Sequence, residues 1–114
     1  MKVEGGLTVK ELYINYGEMD WEEARGYPPG TLMKVLRRDE KGEPLTILLK
    51  VKEGFEMKEH SHIGNEQQLV LEGEYDSEGR NYQTGSYRLI PSKTNHGPFK
   101  SEKGAVVLIA WDLK

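Results

Sequence analysis

The chain has 114 residues, 36% hydrophobic and 31% charged, with a net charge of −3 and no cysteine. That length bounds it to one domain, residues 1–114, with a single core. No basic surplus exists to neutralise phosphates, so nucleic-acid binding is not expected, and disulfides, thiolate catalysis and Cys-ligated zinc or iron–sulfur clusters are excluded.

No stretch approaches the ~20 apolar residues that span a bilayer, and residues 1–6 lack the apolar run of a secretory signal. The expectation is therefore a soluble cytoplasmic protein with no membrane partner.

In chain order, residues 1–18 contain Leu12, Tyr13 and Ile14, enough for one strand. Such a strand would suit an exposed sheet edge, on its own subunit or a neighbour's, and a two-fold homodimer is the expected assembly. Residues 19–25 read as a short helical piece that Asp20 could cap, ended by Pro28, Pro29 and Gly30. Residues 33–36 read as the hairpin partner of a strand in which Leu45, Ile47, Leu49 and Val51 alternate with Thr46, Leu48, Lys50 and Lys52. Between them Asp39, Gly42 and Pro44 supply turn chemistry.

Residues 67–71 form the next strand, followed by a turn at residues 76–79. Residues 86–90 make another, stopped by Pro91. After the turn at Glu102, Lys103 and Gly104, residues 105–111 are apolar on both faces, which marks a central strand. Turns recurring at this pace predict an all-β sandwich or barrel.

The three histidines of the chain form one constellation with a glutamate. On a strand His60 and His62 point to one face while Ser61 points away. Ile63, Gly64 and Asn65 can turn the chain and bring in Glu66. His96 lies 34 residues after His62 and must come from another strand, so only a closed β-structure would gather all four. Three imidazoles and a carboxylate describe a mononuclear site for one divalent ion per chain, with Fe, Zn, Mn, Ni, Co and Cu all compatible. Such ligands bind only when deprotonated, so occupancy should fall as pH drops through the histidine range. Every histidine is thereby assigned, which leaves none for a Ser/His/Asp triad. Gly26 and Gly30 make no dinucleotide fingerprint.

Around these residues the chain resembles the cupins. Gly54, His60, His62, Glu66 and Gly73 match the first cupin motif (residues 54–73), and Gly85, Pro91 and His96 match the second (residues 85–100). Lys93 stands where the family usually has Gly, and Lys100 where it often has Asn. Trp21, Pro29, Gly30, Gly42, Thr46 and residues 71–76 are further similar to small cupins related to the C-terminal domain of the anti-sigma factor ChrR, and to acetylacetone- and dihydroxyacetophenone-cleaving dioxygenases. The resemblance implies a double-stranded β-helix, or jelly-roll, barrel holding a metal at His60, His62, Glu66 and His96. It also implies a small-molecule ligand: either a metal-dependent oxygenase acting on a diketone or similar oxygenated substrate, with isomerase or lyase chemistry as variants, or a zinc-holding sensing or binding module without catalysis. The dioxygenases it resembles bind iron with three histidines, and Glu66 would add a fourth protein ligand.

Around the metal, Gln68 shares strand parity with Glu66 and should face inward. Met33, Val35, Met57 and Trp111 suit an apolar pocket and equally suit plain packing. Tyr82 and Tyr87 have opposite parity, so at most one faces the pocket; Tyr87 is the candidate. Arg88 and Tyr82 are expected at the surface.

Overall fold

A computed structural model describes residues 10–58 and 64–112. Its strands are β1 (Glu22–Glu23), β2 (Leu32–Arg38), β3 (Pro44–Val51), β4 (Phe55–Met57), β5 (Glu66–Ser77), β6 (Arg80–Gln83), β7 (Tyr87–Ile90), β8 (Phe99–Ser101) and β9 (Ala105–Trp111). All pair antiparallel in the order β1-β2-β3-β9-β5-β8-β4, with β6 and β7 also on β5. Among the described residues there is no α-helix, and no helix is long and apolar enough to cross a membrane.

The β2–β3 hairpin forms where the turn residues predict it. The Asp39 carboxylate accepts the backbone N–H groups of Lys41 and Glu43 at 2.8 and 2.9 Å, an Asx turn that fixes the loop. The alternation in β3 then sends Ile47, Leu49 and Val51 inward. β9 lies between β3 and β5, which is why it is apolar on both faces. Its Val107 and Ile109 pair with Leu49 and Ile47. These side chains, with Val35, Val70, Phe55, Tyr75 and Phe99, form the core; each fully buried aliphatic contributes about 1.5–3 kcal/mol.

β5 organises the molecule. Its first half pairs with β7 and β9, and its second half with β6 and β8. The register slips between Val70 and Glu72. This bulge reverses which parity faces inward: Glu66, Gln68 and Val70 are buried before it, Tyr75 and Ser77 after it. Gly73 makes the bend feasible. Its φ is +72°, and a Cβ there would lie 2.1 Å from the carbonyl oxygen of Gly104.

Two expectations are corrected. Residues 19–25 are not helical. Glu22 and Glu23 register against Met33 and Leu32, and the Ala24 N–H donates to Thr31 O at 2.9 Å, so sheet pairing overrides a good helical composition. The only helical turn among the described residues is a 3-10 turn at Tyr16–Glu18, capped by the Asn15 side chain. The strand expected within residues 1–18 is likewise absent over residues 10–18; residues 1–9 lie outside the described residues. Leu12, Tyr13 and Ile14 are exposed. Tyr16 and Trp21 instead cover a corner of the sheet's outer face, where the buried Lys34 donates to Tyr16 O at 2.8 Å and sits 4.6 Å from the Trp21 ring centroid.

Candidate functional site

Glu66 opens β5, between Ile90 of β7 and Trp111 of β9. It is 3% exposed. A carboxylate so buried is stable only when its oxygens are satisfied. The Trp111 Nε1–H donates to Oε1 at 3.1 Å and the Gln68 Nε2–H to Oε2 at 2.6 Å. Gln68, one inward step along the strand, accepts in turn from the hydroxyl of Tyr75. Tyr75 reaches it from the far half of β5 because the bulge turned it inward.

Arg88 stands directly opposite Gln68 on β7. Its guanidinium donates to the Tyr75 hydroxyl at 3.3 Å and to Glu78 at 3.2 Å. It lies over the Tyr82 ring, 4.7 Å from the centroid, and over Phe99 at 5.6 Å. The surface placement expected for Arg88 and Tyr82 is therefore corrected. The Arg88 side chain is 11% exposed, and Tyr82 stacks on Tyr75 with centroids 4.9 Å apart. Parity within β7 could not reveal this, since it required knowing that β7 lies against the start of β5.

His96 lies on the loop between β7 and β8. That loop is tied to the start of β5: Ser92 N–H donates to the Asn65 side chain at 2.9 Å, and Gly64 N–H to Ser92 Oγ at 3.0 Å. The imidazole is 2% exposed and meets Phe99 edge-on at 5.4 Å. Within the same loop Lys93 has φ +61°, the left-handed conformation that the family's usual glycine adopts without strain.

A cavity of about 50 Å³ lies inside the sheet, walled by Leu49, Val51, Phe55, Phe99, Val107 and Ile109. Glu66, Gln68, Tyr75 and Tyr27 are its polar members. Burial, then the nearby Glu66 charge, raises the Tyr27 hydroxyl above the ordinary phenol range. Burial likewise raises Tyr75, against an opposing contribution from Arg88. Both are neutral phenols at physiological pH. Tyr27 and Tyr75 went unrecognised in the sequence; the mid-strand Gly73 was the available signal for Tyr75, since glycine in a strand marks a bulge.

Of the four metal-ligand candidates, Glu66 and His96 are buried on adjoining parts of the structure: Glu66 in the cavity wall, His96 against the wall residue Phe99. His60 and His62 lie outside the described residues. Among the described residues no three His, Asp or Glu side chains group together. The donor chemistry fits a divalent ion: a buried carboxylate held at both oxygens by neutral N–H donors, and a buried imidazole set against Phe99 of the same cavity wall. Of the pocket candidates, Gln68 and Met57 line the cavity. Val35 belongs to the core, and Met33 and Trp111 pack against it. Tyr87 does not line the cavity; it is 59% exposed, and its hydroxyl donates to Gln67 on the outer face.

The family model described as the ChrR cupin-like domain matches residues 9–112. No curated protein sequence matches the chain. Among solved structures, a chain from the complex of Rhodobacter sphaeroides SigE with the anti-sigma ChrR superposes with a TM-score of 0.67 at 24% identity, covering 86% of this chain. The present chain spans only 52% of that one. An acetylacetone dioxygenase from Acinetobacter johnsonii gives a TM-score of 0.77 at 14% identity, over 97% of this chain and 80% of the other. KdgF from Halomonas sp. gives 0.66 at 23%, over 91% and 96%. At these identities the likeness establishes the fold, a cupin jelly roll, as the motifs predicted.

Proposed function

The chain belongs to the ChrR cupin-like domain family, and on that premise we propose that it is a mononuclear divalent-metal protein acting on a small oxygenated ligand in the manner of an oxygenase. The observation that supports this is the apolar cavity with one buried, doubly held carboxylate in its wall. His60, His62, Glu66 and His96 would hold the ion. Lewis acidity toward the oxygens of a diketone or hydroxy-ketone is the chemistry a divalent ion supplies in such a site.

The chain's own contributions follow from its contacts. Trp111 and Gln68 fix the carboxylate of Glu66. The aliphatic and aromatic walls exclude water from a bound ligand. Tyr27, kept neutral by burial, places a phenol in the wall beside that ligand.

The second reading, a zinc-holding sensing or binding module, draws support from the ChrR-type family match over nearly the whole chain. Metal analysis of protein purified without chelators, followed by oxygen uptake with a β-diketone, separates the two. Iron with uptake supports the oxygenase; stoichiometric zinc with no turnover supports the module and sinks the enzyme. The homodimer belongs to the same proposal, and a monomer alone in sedimentation at micromolar concentration would remove it.

A further inference from the structure

Five hydrogen bonds run in series between the His96 loop and Glu66. Gly97 N–H donates to Glu78 Oε2 at 3.0 Å, and Arg88 donates both to Glu78 Oε1 and to the Tyr75 hydroxyl. Tyr75 donates to Gln68 Oε1, and Gln68 Nε2 donates to Glu66 Oε2. The direction of this series is not arbitrary. A guanidinium has donors only, so the Tyr75 oxygen facing it must accept. That turns the single phenolic proton of Tyr75 toward Gln68. The oxygen of Gln68 then accepts, which leaves its NH2 toward Glu66. Were the amide reversed, its oxygen would face the carboxylate and its NH2 would face the Tyr75 proton.

Granted the metal-site reading above, we infer that Arg88 is a positioning residue for the candidate centre: acting through Tyr75, it fixes the amide of Gln68 and thereby holds the carboxylate of Glu66 in place for a divalent cation. Two further observations carry this. Glu78, which anchors the other side of Arg88, is held with Gly79 at positive φ in the two-residue turn between β5 and β6, closed by the Ser77–Arg80 pair, so the hairpin itself fixes where its carboxylate sits. Its two oxygens bind Arg88 and the backbone N–H next to His96. Arg88 also lies over Phe99, the ring that His96 meets edge-on. One guanidinium thus touches the supports of both described candidate ligands.

The test compares wild type with Arg88→Met and Tyr75→Phe, reading two quantities. The first is the side-chain amide of Gln68 in 15N-resolved NMR of the metal-free protein. The expected wild-type signal is a resolved, slowly exchanging NH2 pair; in both variants it should shift and exchange faster. The second is Co2+ affinity by titration, expected to weaken roughly 10- to 100-fold in both variants, as for other residues that support a metal ligand. Arg88→Lys, which keeps a donor-only cation, should restore part of each. Tyr87→Phe on the outer face should alter neither. Should Arg88→Met fail to fold, Tyr75→Phe carries the test alone. An unmoved Gln68 amide in a folded Arg88→Met or Tyr75→Phe variant overturns the inference. Wild-type protein that binds no Co2+ while the amide still responds defeats the metal reading instead and leaves the relay standing.

Discussion

Two cations, Lys34 buried and Arg88 largely covered, lie over aromatic rings on opposite faces of the same sheet, and their surroundings differ in an instructive way. Lys34 on the outer face lies over Trp21 and donates to a single backbone carbonyl, Tyr16 O. Arg88 on the inner side lies over Tyr82 and donates to a carboxylate and a phenol. Both gain cation–π stabilisation of about 0.5–2 kcal/mol. The lysine is a compact point charge that ends its interactions there, stapling an N-terminal segment to the sheet. The arginine presents a planar fork, so it can satisfy two acceptors at once and impose a direction on the groups beyond them. The same aromatic shielding serves attachment in one case and orientation in the other.

The harshest way to break the inner arrangement leaves the outer staple alone. Gly73→Ala puts a Cβ into the Gly104 carbonyl at a positive-φ position, removing the bend that turns Tyr75 inward. We expect a loss of about 4 kcal/mol or more, or no folded protein, by denaturant unfolding. A cost below about 1 kcal/mol would show that the bulge is not needed.

The next comparison sets Arg88→Met against Lys34→Met. The Arg88–Glu78 ion pair is itself worth little, because Glu78 is 45% exposed. The cost comes from leaving the buried oxygen of Tyr75 short of a donor, about 1–3 kcal/mol. Lys34→Met should cost about 1–2 kcal/mol and leave divalent-metal affinity unchanged. If the two variants weakened metal binding equally, the functional contrast between the faces would be lost.

Alkaline pH gives a smaller effect with a definite sign. Tyr27 and Tyr75 are raised by burial, so above about pH 10 the unfolded chain loses phenolic protons that the folded chain keeps. Their contribution is complete below that pH and is lost as pH climbs toward the folded-state values. Unfolding free energy measured from pH 9 to 11.5 should therefore fall, less steeply in Tyr27→Phe, and as steeply as wild type in Lys34→Met.

The mildest expectation concerns the His96 loop. Lys93 holds a conformation that glycine adopts without strain, so Lys93→Gly should leave stability unchanged or raise it by up to about 1 kcal/mol. A clear fall in Tm would mean the lysine side chain contributes contacts of its own.

Legibility in the sequence followed the range over which each feature is determined. The Asp39 turn, the alternation of β3 and the two-sided apolar character of β9 are local, and each formed as read. Gln68 faced inward with Glu66 because only two residues separate them. Tyr75 and Arg88 were not legible. One depends on a bulge that inverts strand parity, the other on a pairing across twenty residues of chain. The helical reading of residues 19–25 failed because Met33 and Leu32 offered the backbone of Glu22 and Glu23 a sheet partner. The histidine pair that carried the sequence argument, His60 and His62, lies outside the described residues, so the four-ligand centre stands as a proposal built on Glu66 and His96.

The most direct measurement is an anomalous difference map from crystals grown with Co2+ or Zn2+, collected at the absorption edge of the ion. We expect one strong peak per chain at ~2.0–2.2 Å from an oxygen of Glu66 and a nitrogen of His96, with His60 and His62 completing the shell. A peak elsewhere, or none in protein saturated with the ion, would contradict the account.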